Sequence, residues 1–81
     1  MKLPPMREVK SSAISHVGYD PAEQLMAVTF QSGKTYLLPD TSRDEYDALM
    51  AAESIGQTYG AMFAGRKVVK YAPPEQDQEG A

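Results

Sequence analysis

Cysteine is absent from the 81 residues of this chain. That removes a disulfide framework, a thiolate metal cluster and a cysteine nucleophile together. A domain this small then depends on well-packed secondary structure, with self-association as the other available support. His16 is the single histidine, so a zinc site would have to take nearly all its ligands from carboxylates, which zinc seldom accepts. No apolar run approaches the roughly 20 residues of a membrane helix, and nothing is expected to span a bilayer. The opening MKLPPMREVK has a basic residue near its start but also two prolines, a glutamate and no apolar centre, so it does not read as a secretory signal. The cytoplasm is the expected location. A Gly-rich phosphate loop is missing as well, because Gly56 and Gly60 fall inside a helical pattern and lack an adjacent Lys-Ser/Thr. No cofactor is implied.

Excess positive charge is also lacking. The net charge is −3 and the pI about 4.9, whereas a committed nucleic-acid binder tends to show a basic patch or a pI above about 9. The acid is concentrated at the end: Glu75, Asp77 and Glu79 stand there without a base, so residues 1–74 carry no net charge. With 42% hydrophobic residues, and with only about 60% of its unfolded surface hidden in so short a chain, there is room for one modest core. One domain is expected over residues 11–72, with a flexible arm or edge segment over 1–10 and a disordered acidic tail over 73–81.

What is present is a hairpin. In QLMAVTFQSGKTYLLP, Met26, Val28 and Phe30 alternate with Ala27, Thr29 and Gln31; Ser32-Gly33 interrupts, and Tyr36 and Leu38 resume the period of two. Such alternation is the mark of strands with a buried face. Upstream, Ile14, Val17 and Tyr19 do not share one parity, which predicts a bulge near Ser15-His16. Asp20-Pro21-Ala22-Glu23 suits a type I turn into the hairpin. Pro39 ends the ladder. Ser42-Arg43-Asp44-Glu45 is a capping box opening a helix whose Tyr46, Leu49 and Met50 form one face, ending near Ala52. Ser54 and Gln57 form a second box, ahead of Ile55, Tyr59, Met62 and Phe63, with Gly65 placed to take the left-handed stop. Two glycines inside that helix, Gly56 and Gly60, point to close backbone packing against the first helix or the sheet, a 3₁₀ stretch or a weak helix. Lys67 to Tyr71 reads as a last strand. The fold class is therefore α+β: a small antiparallel β-meander of order β-β-β-α-α-β, with two short helices on one side of the sheet.

Catalytic constellations fail on geometry. Ser11, Ser12, His16 and Asp20 supply the residue types of a hydrolytic triad, but along a strand His16 and Asp20 stand roughly 13 Å apart. Asp40, Asp44, Glu45 and Asp47 crowd a helix N-terminus, where capping and the helix dipole account for them. Enzymatic activity is not expected. The arrangement left with functional content is basic and aromatic: Arg66, Lys67, Lys70 and Tyr71, with Lys10 and Arg43, could hold single-stranded nucleic acid by phosphate contact and base stacking. The alternative assigns Tyr71 to the core and the lysines to the protection of an edge strand.

The succession VKSSAISHVGYDP, LMAVTFQSGKTYLL, DEYDALMAAESIG and FAGR resembles the KTSC domain, a small domain found at the C-terminus of some lysyl-tRNA synthetases and as a free-standing protein of bacteria and phages. The resemblance runs from about Val9 to Tyr71. It is carried by Ser12, Ile14, Gly18-Tyr19-Asp20, Phe30, Ser32-Gly33, Tyr36, the stripe from Tyr46 to Leu49, Ala52, Ser54 and Gly56. Leu38 stands where the family often has a second tyrosine, Gly60 where it often has asparagine, and the basic aromatic ending is reduced to Arg66, Lys67, Lys70 and Tyr71. The resemblance implies a binding module for which RNA is the suggested ligand, with Lys34, Tyr36, Arg66, Lys67, Lys70 and Tyr71 as the nucleic-acid-binding candidates. The alternative is a protein-interaction adaptor, or a phage-encoded modulator of a host protein, docking through an edge strand or the helix face. Tyr36 separates the two: under the helices beside Phe30 it is structural, on an open face near Lys34 it belongs to a binding surface.

Overall fold

The computed structural model describes residues 3–71; the acidic tail over 73–81 and the first two residues of the arm lie outside the described residues. Five strands, β1 (Met6–Glu8), β2 (Ile14–Asp20), β3 (Leu25–Phe30), β4 (Thr35–Leu38) and β5 (Val69–Lys70), form one sheet in sequential order, every neighbouring pair antiparallel. The helices α1 (Arg43–Met50) and α2 (Ile55–Phe63) fill the connection from β4 to β5. The sheet has one strand more than the sequence pattern shows. Met6–Glu8 pairs with Gly18, Val17 and His16, and three residues directly after Pro4-Pro5 are too few for alternation to register. The last strand is shorter than Lys67 to Tyr71, with only Val69 and Lys70 in ladder geometry.

Local chemistry accounts for the joints. The register slips between Ile14 and His16, the expected bulge, which lets both Ile14 and Val17 reach the core. Asp20 Oδ1 accepts from the amides of Ala22 (3.0 Å) and Glu23 (3.4 Å), fixing the turn into β3. At the hairpin tip the Gly33 amide donates to the Phe30 carbonyl at 2.8 Å and Gly33 takes φ +95°, a left-handed conformation that glycine adopts without a Cβ clash. Ser42 and Glu45 make both bonds of their capping box. Ser54 accepts from the Gln57 amide, one half of a second box, and Gly65 at φ +79° follows the end of α2.

Two apolar clusters lie on opposite faces. The larger joins Ile14, Val17, Met26, Val28 and Leu38 to Leu49 of α1 and to Ile55 and Phe63 of α2, so both helices sit on one face as expected. The smaller contains Leu25, Ala27 and Leu37, all at most 4% exposed. No helix among the described residues reaches it; Leu3, Met6 and Tyr71 from the two ends of the described chain cover it. No helix among the described residues is long and apolar enough to cross a membrane.

Candidate functional site

The six nucleic-acid-binding candidates do not form one surface. Tyr36 packs on the helix side, with its ring edge-on to Phe30 at 5.7 Å. From there a row of rings continues: Phe30 to Tyr59 at 5.6 Å, Tyr59 to Phe63 at 5.5 Å, and the Arg66 guanidinium 5.2 Å over Phe63. Arg66 also bonds Glu45, so it ties the end of α2 to the start of α1. Tyr71 lies on the other face, against the Leu25, Ala27 and Leu37 cluster, and its amide donates to the Thr35 carbonyl at 2.9 Å. Lys34, Lys67 and Lys70 are exposed. Lys70 stands opposite Tyr36 in the register, and Lys34 adjoins Thr35, so Lys34, Tyr36, Lys70 and Tyr71 share the tip end of β4 and β5.

Electrostatics follow this packing. Burial raises the Tyr59 phenol above its ordinary value, with Tyr36 adding to the effect. The Ser42 amide is the main reason the Glu45 carboxyl sits below its ordinary value, with Arg66 contributing in the same direction. Ser11, Ser12, His16 and Asp20 make no triad: Ser11 Oγ accepts from the amides of Ala13 and Ile14, His16 Nδ1 meets Ser15 Oγ at 2.9 Å, and Asp20 is taken by its turn. Among the described residues no three His, Asp or Glu side chains converge as metal ligands.

At the opposite edge of the sheet, the rings of Tyr19 and Tyr46 stack with centroids 5.0 Å apart and planes within 14°. The Tyr19 hydroxyl donates to the Thr41 carbonyl at 2.7 Å, and the fully buried Thr41 donates its own hydroxyl to the Leu38 carbonyl at 2.8 Å.

This arrangement has known counterparts. The KTSC domain model matches residues 10–66. The chain belongs to the KTSC domain family. Among relatives of this KTSC domain, a protein of Tsukamurella paurometabola is 50% identical over 52 residues, 64% of this chain and 78% of that protein. A Stutzerimonas stutzeri protein is 33% identical over 55 residues, 68% of this chain and 78% of its own length. The crystal structure of a KTSC domain protein from Yersinia pestis superimposes with a TM-score of 0.78 at 26% identity, over 84% of this chain and 97% of that one.

In this KTSC domain the family-like residues hold contacts. A Cβ on Gly18 would come 2.5 Å from the Pro5 carbonyl oxygen and 2.7 Å from Met6 Sδ, and one on Gly56 would meet Ala13 Cβ and Ser11 Oγ at 3.3 Å. Tyr19, Phe30 and Tyr36 carry the aromatic contacts above, and Asp20 and Ser54 make turn and cap bonds. Ser12 is exposed and makes none of these. Sequence reasoning missed the Tyr19–Tyr46 stack. In sequence Tyr19 belongs to a strand and Tyr46 to a helix face, and nothing in a period of two or of 3.6 says which residue of one element meets which of the other.

Proposed function

We propose that this KTSC domain is a cytoplasmic, non-enzymatic binding module that receives an extended protein segment on the edge of β5 that no other described strand pairs. One observation carries the reading: Val68 and Val69, at 41% and 39% exposure, are the exposed large apolar residues of the described chain, and they lie at that edge. The Tyr71 amide points inward to Thr35, so by antiparallel alternation the backbone groups of Lys70 face outward, open to a further strand. Lys67 and Lys70 flank the valines and favour a segment with an apolar pair between acidic residues. A single substitution tests this. Lys70→Pro removes the outward N–H without touching a sheet bond, so a protein retained from nuclease-treated cell extract by the parent domain should be lost by Lys70→Pro. Equal retention by both, or retention of nothing, overturns the reading.

A second reading, nucleic-acid binding, is supported by the exposed Lys34 and Lys70, which stand at the same end of β4 and β5. It gives less to stack on, because Tyr36 is engaged by Phe30 and Arg66 by Glu45. With Lys34, Lys67 and Lys70 as phosphate contacts, single-stranded RNA should bind with a log–log salt slope of about −2. Lys67→Glu with Lys70→Glu should abolish it; no binding at low salt discards the class.

A further inference from the structure

Beside the Tyr19–Tyr46 stack, at the β1 edge and thus across the sheet from β5, lies a groove lined by Pro5, Arg7, Tyr19, Pro21, Arg43 and Tyr46. The geometry points to a binding site for a phosphate ester carrying a planar ring, of the nucleoside monophosphate class. Two guanidiniums line the groove from separate elements. Arg7 stands opposite Val17 in the register; Val17 packs in the helix-side core, so Arg7 is on the same side of the sheet as α1, whose first residue is Arg43. Arg7 is exposed and makes no ion pair with another described residue. Arg43 is held through Nε alone, 3.3 Å from Asp47 Oδ1, with both side chains more than half exposed, which leaves its two terminal nitrogens for a ligand. Guanidinium is the side chain whose planar fork matches phosphate oxygens.

Three of the acids nearby, Asp20, Asp47 and Glu45, are already bonded. Asp20 accepts its turn amides, Asp47 pairs with Arg43, and Glu45 is shared between the Ser42 amide and Arg66. Asp44, exposed in the first turn of α1, and Glu8, next to Arg7 on β1, are acids with no such bond among the described residues. The helix terminus is not the source of affinity, because Ser42 and Glu45 cap each other; the anion rests on the arginines. The tyrosines supply the rest of the selectivity. Their rings are stacked, and the Tyr19 phenol is tied to the Thr41 carbonyl, so the aromatic wall is in place before a ligand arrives and little is lost in ordering it. A planar base against such a wall gains stacking in a way that tolerates any base.

The test uses the full 81-residue chain, isotopically labelled, titrated with inorganic phosphate and separately with adenosine monophosphate while amide resonances are followed. Saturable shifts are expected at residues 5–7, 19–21 and 43–46, with adenosine monophosphate binding about tenfold more tightly than phosphate. Arg7→Ala and Arg43→Ala should each weaken both probes by about tenfold, and Arg7, exposed on an edge strand, can be changed without loss of fold. Absence of saturable shifts at millimolar probe overturns the site. So do shifts centred on a second groove, between the loop before β2 and the start of α2 and lined by Ser11, Ser54 and Gln57, or on Lys34 and Lys70, or affinities unchanged in both arginine variants. Equal affinity for the two probes overturns the planar-ring class. The Lys70→Pro variant should bind both probes as the parent does, so failure of the β5 edge and failure of this groove are read separately.

Discussion

The two faces of the sheet are built from the same strands and are covered by different means. On one, two capped helices lay Leu49, Ile55 and Phe63 over Met26, Val28 and Leu38. On the other, Leu25, Ala27 and Leu37 are closed over by Leu3, Met6 and Tyr71, residues that flank the 10–66 span of the family match. The first cover is a second layer with its own internal hydrogen bonds; among the described residues the second is Leu3, Met6 of a three-residue strand and one aromatic ring. Burial is nearly complete under both, so exposure alone does not reveal the difference. What differs is how far each cover can yield when something beneath it changes.

Leu38 and Leu37 are the sharpest pair for testing this, being adjacent, chemically identical and on opposite faces. Leu38→Ala should cost about 4 kcal/mol, because helices locked to one another cannot settle into the gap. Leu37→Ala should cost about 2 kcal/mol, because the cost of a cavity depends on how well its surroundings collapse and a terminal strand can follow. Urea unfolding of both variants gives the comparison. Equal losses would mean that the terminal cover is as rigid as the helical one.

Gly18→Ala should produce the next largest effect, and a local one. The new methyl would meet the backbone oxygen of Pro5, which cannot swing aside as a side chain can, so β1 must lift from β2. A global loss of about 2 kcal/mol is expected, together with faster amide exchange at Met6–Glu8 and faster tryptic cleavage after Arg7. Exchange unchanged at β1 would show that the strand shifts without detaching.

The helical face should respond to acid where the terminal face does not. Glu45 has its carboxyl held below the ordinary 4.5, first by the Ser42 amide and also by Arg66. A group whose folded value is depressed contributes stability that is complete above its unfolded value and is lost as the pH falls through the folded one. The urea midpoint should therefore decline as the pH drops from about 4.5, and Glu45→Gln should be less stable near neutrality with a flatter profile in that window. A parallel decline in both proteins would assign the acid sensitivity to other groups.

Much of this was legible from the residues, for a reason that also explains what was not. Patterns of short range carry their own geometry: the broken parity of Ile14, Val17 and Tyr19 located the bulge, Asp20 and Pro21 the turn, Ser42 and Glu45 the cap, and Gly65 the left-handed stop. The cover on the helix-free face escaped because Leu3 and Met6 belong to no period long enough to count. The candidate site escaped because it depends on contacts between elements. Tyr36 and Tyr71, five positions apart from Lys34 and Arg66 at most, look equivalent in sequence, yet Lys70 pairs with Tyr36, which places Tyr71 on the opposite face. Arg66 looked free because Glu45, its partner, is a whole helix away.

The smallest predicted effect concerns the outer surface of the helical cover itself. Gly56 and Gly60 lie four apart on α2, and the sequence offers the same readings for both: close backbone packing, a 3₁₀ stretch or a weak helix. The structure divides them. A Cβ on Gly60 meets nothing within 4 Å, whereas one on Gly56 presses on Ala13 Cβ and Ser11 Oγ at 3.3 Å. Gly60→Ala should therefore stabilise the domain by about 0.5–1 kcal/mol, the ordinary helical advantage of alanine. Gly56→Ala should gain less or lose, because the same propensity is offset by displacing the loop before β2. Since Gly60 faces solvent, its substitution should raise the urea midpoint without altering the gap between Leu38→Ala and Leu37→Ala. If that gap narrows instead, the rigidity of α2, and not the way the two faces are closed, sets the difference between them.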